Sequence, residues 1–465
     1  MVVGSALTIT LLAQIASAQS AQVLPDSEIR KILVDRIDKY QQSVGIVVGV
    51  IEPEGRRIVA YGRLDQGDQR PLTGDTVFEI GSNTKVFTSL LLADMVQRGE
   101  VALTDPVAKY LPAEVKVPER GGRKITLQDL STHTSGLPRD PPNLNPKDPA
   151  NPFAEYSVDQ LYEFLSTYQL ARDIGSLYEY SNVGVALLGH ALTRHAGMDY
   201  ESLVRARITT PLAMESTRVS LTSDMKMRLA VGHAYYKMSP VPNMDMAVYA
   251  PAGALRSTAN DLLTFLGANL GYTANPLANA MAAMLKIRRP IPHSPAETAL
   301  AWGVLKLNGV EIISHNGGTV GAVSFIGFDP KARVGVVVLS NRGAGVGVSD
   351  IGFHLLNQKL PLLSGNALKP PKERQEITVD PKLLDGFVGR YRFSRDDLLT
   401  VTREGGRLFV QRTGELKTEV YPESARDYFA KLFDEQVTFK TDGQGRATEL
   451  IHYEDGSAQR AKRID

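Results

Sequence analysis

Apolar residues recur at three- and four-residue steps through Val86, Phe87, Leu90, Leu91 and Met95, which predicts an amphipathic helix with a buried stripe, halted at Gly99. A second apolar helix is predicted in YEYSNVGVALLGHAL, and a third in STANDLLTFLGANL, where Thr258 and Asp261 hold capping-box spacing and read as caps. Residues 44–64, VGIVVGVIEPEGRRIVAYGRL, read as two strands around a Pro-Glu-Gly turn. Strand patterns return near 301–340 in WGVLKL, VEIISH, AVSFIGFD and RVGVVVLS, with turns expected at Asn308-Gly309, Asn316-Gly317-Gly318 and Asp329-Pro330. Short turns imply antiparallel neighbours. Between the two strand regions, from about 125 to 275, the pattern is mainly helical, broken by RDPPNLNPKDPANP, which reads as a surface loop. The elements together predict an α+β fold: an antiparallel sheet flanked by helices, with a mainly helical region inserted between its strands.

After Leu363 the composition shifts. GNALKPPKERQEITVDPK sets Pro370 and Pro371 among charges, a linker composition assigned to 364–381. Beyond it about eight short segments, from FVGRYRF to QRAKRI, alternate in polarity and predict a small antiparallel β-barrel over 382–465, with no catalytic constellation of its own. The main unit is expected over 25–363.

Composition narrows the partners. Fifty-two Lys and Arg against 51 Asp and Glu leave a net charge of +1, which gives no electrostatic reason to expect nucleic acid or an anionic membrane. The N-terminal VVGSALTITLLAQIASAQS ends in Ala16-Ser17-Ala18, a small-x-small cleavage pattern, so residues 1–18 read as a signal peptide and the protein as exported, although no Lys or Arg precedes the apolar run. No later apolar stretch is long enough to span a bilayer. With no cysteine, disulfides, thiolate catalysis and cysteine metal ligands are excluded.

The candidate chemistry starts at the head of the first helix. Ser82 and Lys85 in GSNTK sit one turn apart on one face, and the positive end of the helix dipole disfavours an ammonium there, lowering the lysine toward a usable base. A serine hydroxyl is otherwise a poor nucleophile. The same spacing at Ser223 and Lys226 lacks a comparable apolar helix and reads as a solvated segment. Tyr180-Ser181-Asn182 is open to two readings: Tyr180 as a second proton carrier with Asn182 holding the lysine and a substrate amide, or Asn182 as a helix cap beside a packing tyrosine. His315-Asn316-Gly317-Gly318 ends a predicted strand, where the glycines admit a substrate backbone and an edge amide can donate to an oxyanion. His195-Ala196-Gly197 reads as an ordinary helix C-terminus.

In that order, Ser82-Asn83-Thr84-Lys85, Tyr180-Ser181-Asn182 and His315-Asn316-Gly317 resemble the three motifs of the serine β-lactamase and penicillin-binding protein superfamily, closest to its class C and DD-peptidase branch. ITLQDLSTHTSGLP, with His133 to Leu137, resembles that family's segment between the first two motifs, the likeness runs from about 30 to 360, and the C-terminal segment resembles a lipocalin-like domain. The resemblance implies Ser82 as nucleophile, Lys85 with Tyr180 as its activators and as proton donor to the leaving group, and Asn182, His315, Gly317 and Gly318 on the substrate, with the amides of Ser82 and Gly318 as the oxyanion hole. It implies no metal and no cofactor. The expected activity is that of a periplasmic or secreted serine hydrolase that takes a small-molecule or peptide substrate, a β-lactam or a D-amino-acid peptide, through an acyl-enzyme. A carboxylesterase acting on short esters or lactones, and a penicillin-binding sensor with little turnover, are the alternatives. β-Lactamases of this branch usually carry Lys where this chain has His315, whose reference pKa near 6.5 leaves it a weak anchor for a carboxylate, so strong penicillin hydrolysis is not expected.

Overall fold

The computed structural model describes residues 23–307, 309–343, 347–368, 374–394, 397–415, 417–454 and 457–465. The expected signal segment, Asn308 of one expected turn, and Pro370 and Pro371 of the expected linker lie outside the described residues.

The first two strands are β1 (Gly45–Glu52) and β2 (Gly55–Gly62). The other six strands of the main sheet come after the helical region: β3 (Arg289–Pro290), β4 (Ala296–Thr298), β5 (Gly303–Leu307), β6 (Val310–Gly318), β7 (Val323–Asp329) and β8 (Val334–Ser340). They form one antiparallel sheet in the order β2-β1-β8-β7-β6-β5-β4-β3. Pairing of β1 with β8, from Ile46↔Ser340 to Ile51↔Gly335, closes the sheet around the inserted helices, as the strand pattern implied. Both faces of the central strands are covered, which is why their sequences are near-continuous apolar runs. Val47, Ile51, Val337 and Leu339 face a core shared with helix α5 (Ala259–Asn269). Ile46, Val48, Val50, Val336 and Val338 face α1 (Asp26–Val34) and α6 (Ser349–Leu356).

The inserted region holds α2 (Thr84–Gln97), α3 (Val158–Thr167) and α4 (Asn182–Ala196). The expected amphipathic α2 is instead buried on every side: Lys85, Thr88 and Ser89 are as buried as Phe87 and Leu90. Thr88 and Ser89 stay soluble in the core by bonding, to the Pro251 carbonyl and to Ser131 at 2.7 Å each. Thr258 caps α5 and Gly197 ends α4 in a left-handed turn, both as expected. Ser223 and Lys226 are exposed.

One expectation fails: the strand β6 does not turn at Asn316-Gly317-Gly318 but continues through them, pairing Gly317↔Ser324 and Gly318↔Val323. The proline-rich stretch forms no helix or strand and lies mostly at the surface, as expected, but parts of it are anchored. Asp140 and Leu144 in it are buried, Tyr156 just after it is too, and Phe153 stacks on Tyr249 at 4.5 Å.

The C-terminal strands are β9 (Gly389–Arg392), β10 (Leu398–Glu404), β11 (Arg407–Arg412), β12 (Thr418–Pro422), β13 (Asp427–Phe429), β14 (Glu435–Thr441), β15 (Ala447–Glu454) and β16 (Ser457–Arg463). They close into an antiparallel barrel. Side chains fill its lumen, with Phe387 stacked on Phe439 at 4.2 Å among Tyr391, Tyr428 and Val437. The barrel docks on the main unit: Leu432 and Phe433 pack against the principal core, and the Gly414 carbonyl accepts from the Asp140 amide at 3.3 Å. Among the described residues no helix is long and apolar enough to cross a membrane.

Candidate active site

Ser82 sits in a single 3-10 turn, Gly81–Asn83, that feeds α2. Three contacts fix this turn against the sheet and the Ala250–Leu255 segment. The Asn83 side chain donates to Ser324 Oγ at 2.8 Å, Ser324 Oγ donates to the Ile80 carbonyl at 2.8 Å, and the Leu255 amide donates to Thr84 Oγ1 at 3.1 Å. Gly81 has φ +48°, and a Cβ there would lie 2.7 Å from the Gly318 nitrogen, so only glycine lets the Ser82 turn meet the end of β6 this closely.

Lys85 Nζ lies 2.9 Å from Ser82 Oγ and donates to the Ala252 carbonyl at 2.7 Å. Burial, reinforced by the Arg139 charge, holds its pKa well below the ordinary lysine value, while Asp140 opposes the shift. The sequence attributed this lowering to the helix dipole; desolvation is the larger cause. A neutral amine beside a hydroxyl is a competent proton acceptor.

Tyr180 completes the cluster. Its ring centre is 4.9 Å from Lys85 Nζ. Burial raises its phenol to about 12, against the opposing effects of its Ser82 hydrogen bond and of Arg139, so it stays protonated at neutral pH. Its ring stacks on His133, centroids 4.6 Å apart, and His133 Nδ1 accepts the Ser181 amide at 3.1 Å. That bond assigns the imidazole proton to Nε2. The motif is thereby braced from behind.

The helix cap is Ser181 and not Asn182, and among the described residues Asn182 makes no bond to Lys85. Ser181 caps α4, its hydroxyl accepting from Gly184 at 2.9 Å, which frees the Asn182 side chain to donate to both Asp140 carboxylate oxygens at 3.3 Å. Asn182 lines the cleft with Ser82 and Tyr180. His315 Nδ1 is 2.6 Å from the Asn316 carbonyl, and burial together with Lys85 lowers its pKa to about 4. It is therefore uncharged at neutral pH. Gly317 is held by the Ile80 carbonyl, 2.0 Å from where a Cβ would sit, while Gly318 is open on its side-chain face.

The cleft has a volume of about 1320 Å³. Its walls include Ser82, Tyr180, Asn182, Gly317 and Gly318, and also Arg139, Asp140 and Tyr249, together with Glu415, Phe433 and Glu435 from the barrel. Sequence reasoning assigned none of these last six. Arg139 and Asp140 directly follow Pro138, the last residue of ITLQDLSTHTSGLP, and that adjacency was the one available signal. Among the described residues no group of His, Asp and Glu is arranged to hold a metal ion.

The Beta-lactamase family profile matches residues 32–357, and a domain of unknown function, DUF3471, matches 373–463. The D-alanyl-D-alanine-carboxypeptidase/endopeptidase AmpH of Escherichia coli (strain K12) is 30% identical over 71% of this chain and 89% of its own length. Penicillin-binding protein 4* of Bacillus subtilis (strain 168) is 26% identical over 89% of this chain and 94% of its own. Among solved structures, the class C β-lactamase of Rhodobacter sphaeroides aligns with TM-score 0.62 at 26% identity, covering 71% of this chain and 99% of that one. With the matched profile spanning most of the chain, and Ser82, Lys85 and Tyr180 gathered at one end of its sheet, the chain belongs to the Beta-lactamase family, whose members are serine hydrolases that act through an acyl-enzyme.

Proposed function

We propose that Ser82 is the nucleophile of an exported hydrolase for a small-molecule or peptide amide or ester, a β-lactam or a D-amino-acid peptide. The observation that carries this is a buried Lys85 amine, its pKa held well below the ordinary lysine value, 2.9 Å from the Ser82 hydroxyl. Ser82 Oγ attacks the substrate carbonyl carbon while Lys85 Nζ takes its proton. The negative charge that develops on the carbonyl oxygen meets the amides of Ser82 and Gly318. As the carbon–nitrogen or carbon–oxygen bond breaks, a proton passes through the Tyr180 hydroxyl to the leaving group. Water then repeats the sequence on the ester, with Lys85 and Tyr180 again moving the proton. Asn182 orients the substrate. The D-alanyl-D-alanine-carboxypeptidase named above supports the peptide reading. In the same reading a hydrolase domain spans 25–363 and a barrel domain 382–465, joined by the linker at 364–381, with 1–18 removed on export.

Gly81→Ala tests the oxyanion geometry. The added Cβ would push Ser82 and Gly318 apart; kcat is expected to fall about 100-fold, the usual loss of one oxyanion donor, with KM changed far less. Steady-state kinetics check the split.

A neutral His315 favours a second reading, a carboxylesterase for short uncharged esters or lactones, because it offers no cation to a substrate carboxylate. Parallel assays with a chromogenic cephalosporin, a p-nitrophenyl ester and a D-Ala-D-Ala peptide separate the two. His315→Lys restores the cation and is expected to raise kcat/KM for the cephalosporin about tenfold, leaving the ester unchanged. An unchanged cephalosporin rate would remove the carboxylate role from this position.

A further inference from the structure

The two amides assigned to the developing oxyanion, those of Ser82 and Gly318, lie 236 residues apart in the chain. Their alignment is set by tertiary contacts alone. Gly81 and Gly318 meet without side chains, a Cβ on Gly81 falling 2.7 Å from both the Gly318 nitrogen and its carbonyl oxygen. Such a contact brings two backbones close, but with nothing interlocked it does not fix how one lies along the other.

A buried carboxylate supplies the interlock. Phe78–Glu79, just before the Ser82 turn, forms a two-stranded ladder with Arg256–Ser257, with Glu79 opposite Arg256. Glu79 is 8% exposed and stands three residues ahead of Ser82. Its two oxygens are used differently. Oε1 accepts the Met244 amide at 2.7 Å and the Arg256 guanidinium at 3.2 Å, while Oε2 accepts the Thr319 hydroxyl at 2.8 Å. Thr319 directly follows Gly318 and lines the cleft.

A carboxylate that served the fold alone would need only the first oxygen. The Arg256 pair and the Met244 amide, both on Oε1, match its charge and anchor it, and Arg256 is itself held by the carbonyls of Val219 and Ala254 at 2.9 and 3.0 Å. Anchored there, the group presents Oε2 as a fixed acceptor. Among the described residues the Thr319 hydroxyl is the one donor to that oxygen. Thr319 is fixed in turn, its hydroxyl accepting the Gly321 amide at 3.3 Å and its amide donating to the Ala322 carbonyl at 2.8 Å. The chain that carries the Gly318 amide is thus tied, at its very next residue, to the strand that leads into Ser82.

We infer that Glu79 is a positioning residue for the oxyanion hole, holding the Gly318 amide in register with the Ser82 amide through the Thr319 hydroxyl. The inference rests on the reading proposed above, with Ser82 as nucleophile and these two amides as the hole. Glu79 acts through Thr319 and not on the substrate.

The test uses the full-length protein, p-nitrophenyl acetate as substrate and phenylboronic acid as a mimic of the tetrahedral intermediate. Boron takes a lone pair of Ser82 Oγ, the serine proton passes to Lys85 Nζ, no group leaves, and one boronate oxygen occupies the oxyanion position. Thr319→Val keeps the side chain's shape and both bonds at Oε1. It is expected to lower kcat/KM and phenylboronate affinity by the same factor, about tenfold, less than the roughly hundredfold of a donor lost outright. Thr319→Ser restores the hydroxyl and should recover both. Glu79→Gln should weaken phenylboronate as Thr319→Val does, and the double variant should weaken it no further, because the two changes remove one bond. Unchanged phenylboronate affinity in Thr319→Val, or losses that multiply in the double variant, overturn the positioning role alone. Ester hydrolysis and phenylboronate inhibition that both persist in Ser82→Ala would overturn the nucleophile, and the positioning role with it.

Discussion

Ser82→Ala is expected to lower turnover of cephalosporin, ester and peptide substrates alike by about 10⁴-fold or more, since removal of a nucleophile leaves only binding and oxyanion stabilisation. The fold has little stake in this hydroxyl. The turn that carries it is held by Asn83, Ser324, Ile80 and Leu255, and Lys85 keeps its bond to the Ala252 carbonyl. The thermal midpoint should therefore shift by no more than about 2 °C, as for a substitution that opens no large cavity. A large loss of stability would mean that the inactivity says nothing about chemistry. Full activity in a stable Ser82→Ala protein would require another nucleophile.

Lys85→Met is expected to lower kcat about 10³-fold, within the usual range for a general base. Methionine nearly matches lysine in length and suits a position with 0% exposure. It also removes an amine that the interior holds against its preference for water, as the depressed pKa records. Stability should therefore stay level or rise while activity collapses, the opposite of what a structural lysine would give. The pH profile supplies an independent check. In the wild type kcat/KM should rise with pH through an apparent pKa below the ordinary lysine range, as the amine loses its proton, and this limb should vanish in Lys85→Met. A variant that keeps the limb would assign it to another group.

What could be read along the chain was chemistry of short range. Ser82 and Lys85 are one turn of helix apart, so spacing alone placed them on one face, and Tyr180 and Asn182 are two residues apart in one short motif. The barrel was legible because eight segments alternate with the period of a strand. The neutral state of His315 followed from its type, and burial only deepened it. Contacts that join distant segments were not legible. Asp140 lies in a proline-rich stretch whose composition signals a loop, and nothing local shows that Asn182 and the barrel hairpin at Gly414 will bury it. Tyr249 and Glu415 stand 109 and 275 residues beyond Asp140 and reach the cleft through tertiary packing alone. The run through Gly317 and Gly318 was misread for a related reason: glycines signal turns, but here they let strand β6 lie against the Ile80 carbonyl.

The central claim is that Ser82 becomes covalently acylated. Intact-mass spectrometry of the full-length protein, acid-quenched within milliseconds of mixing with a p-nitrophenyl ester or a penicillin, tests it most directly. The account predicts a mass gain equal to the acyl group, or to the whole penicillin, carried by the peptide that contains Ser82 and absent from Ser82→Ala. Turnover at the full rate with the label on any other residue, or persisting undiminished in Ser82→Ala, would contradict it.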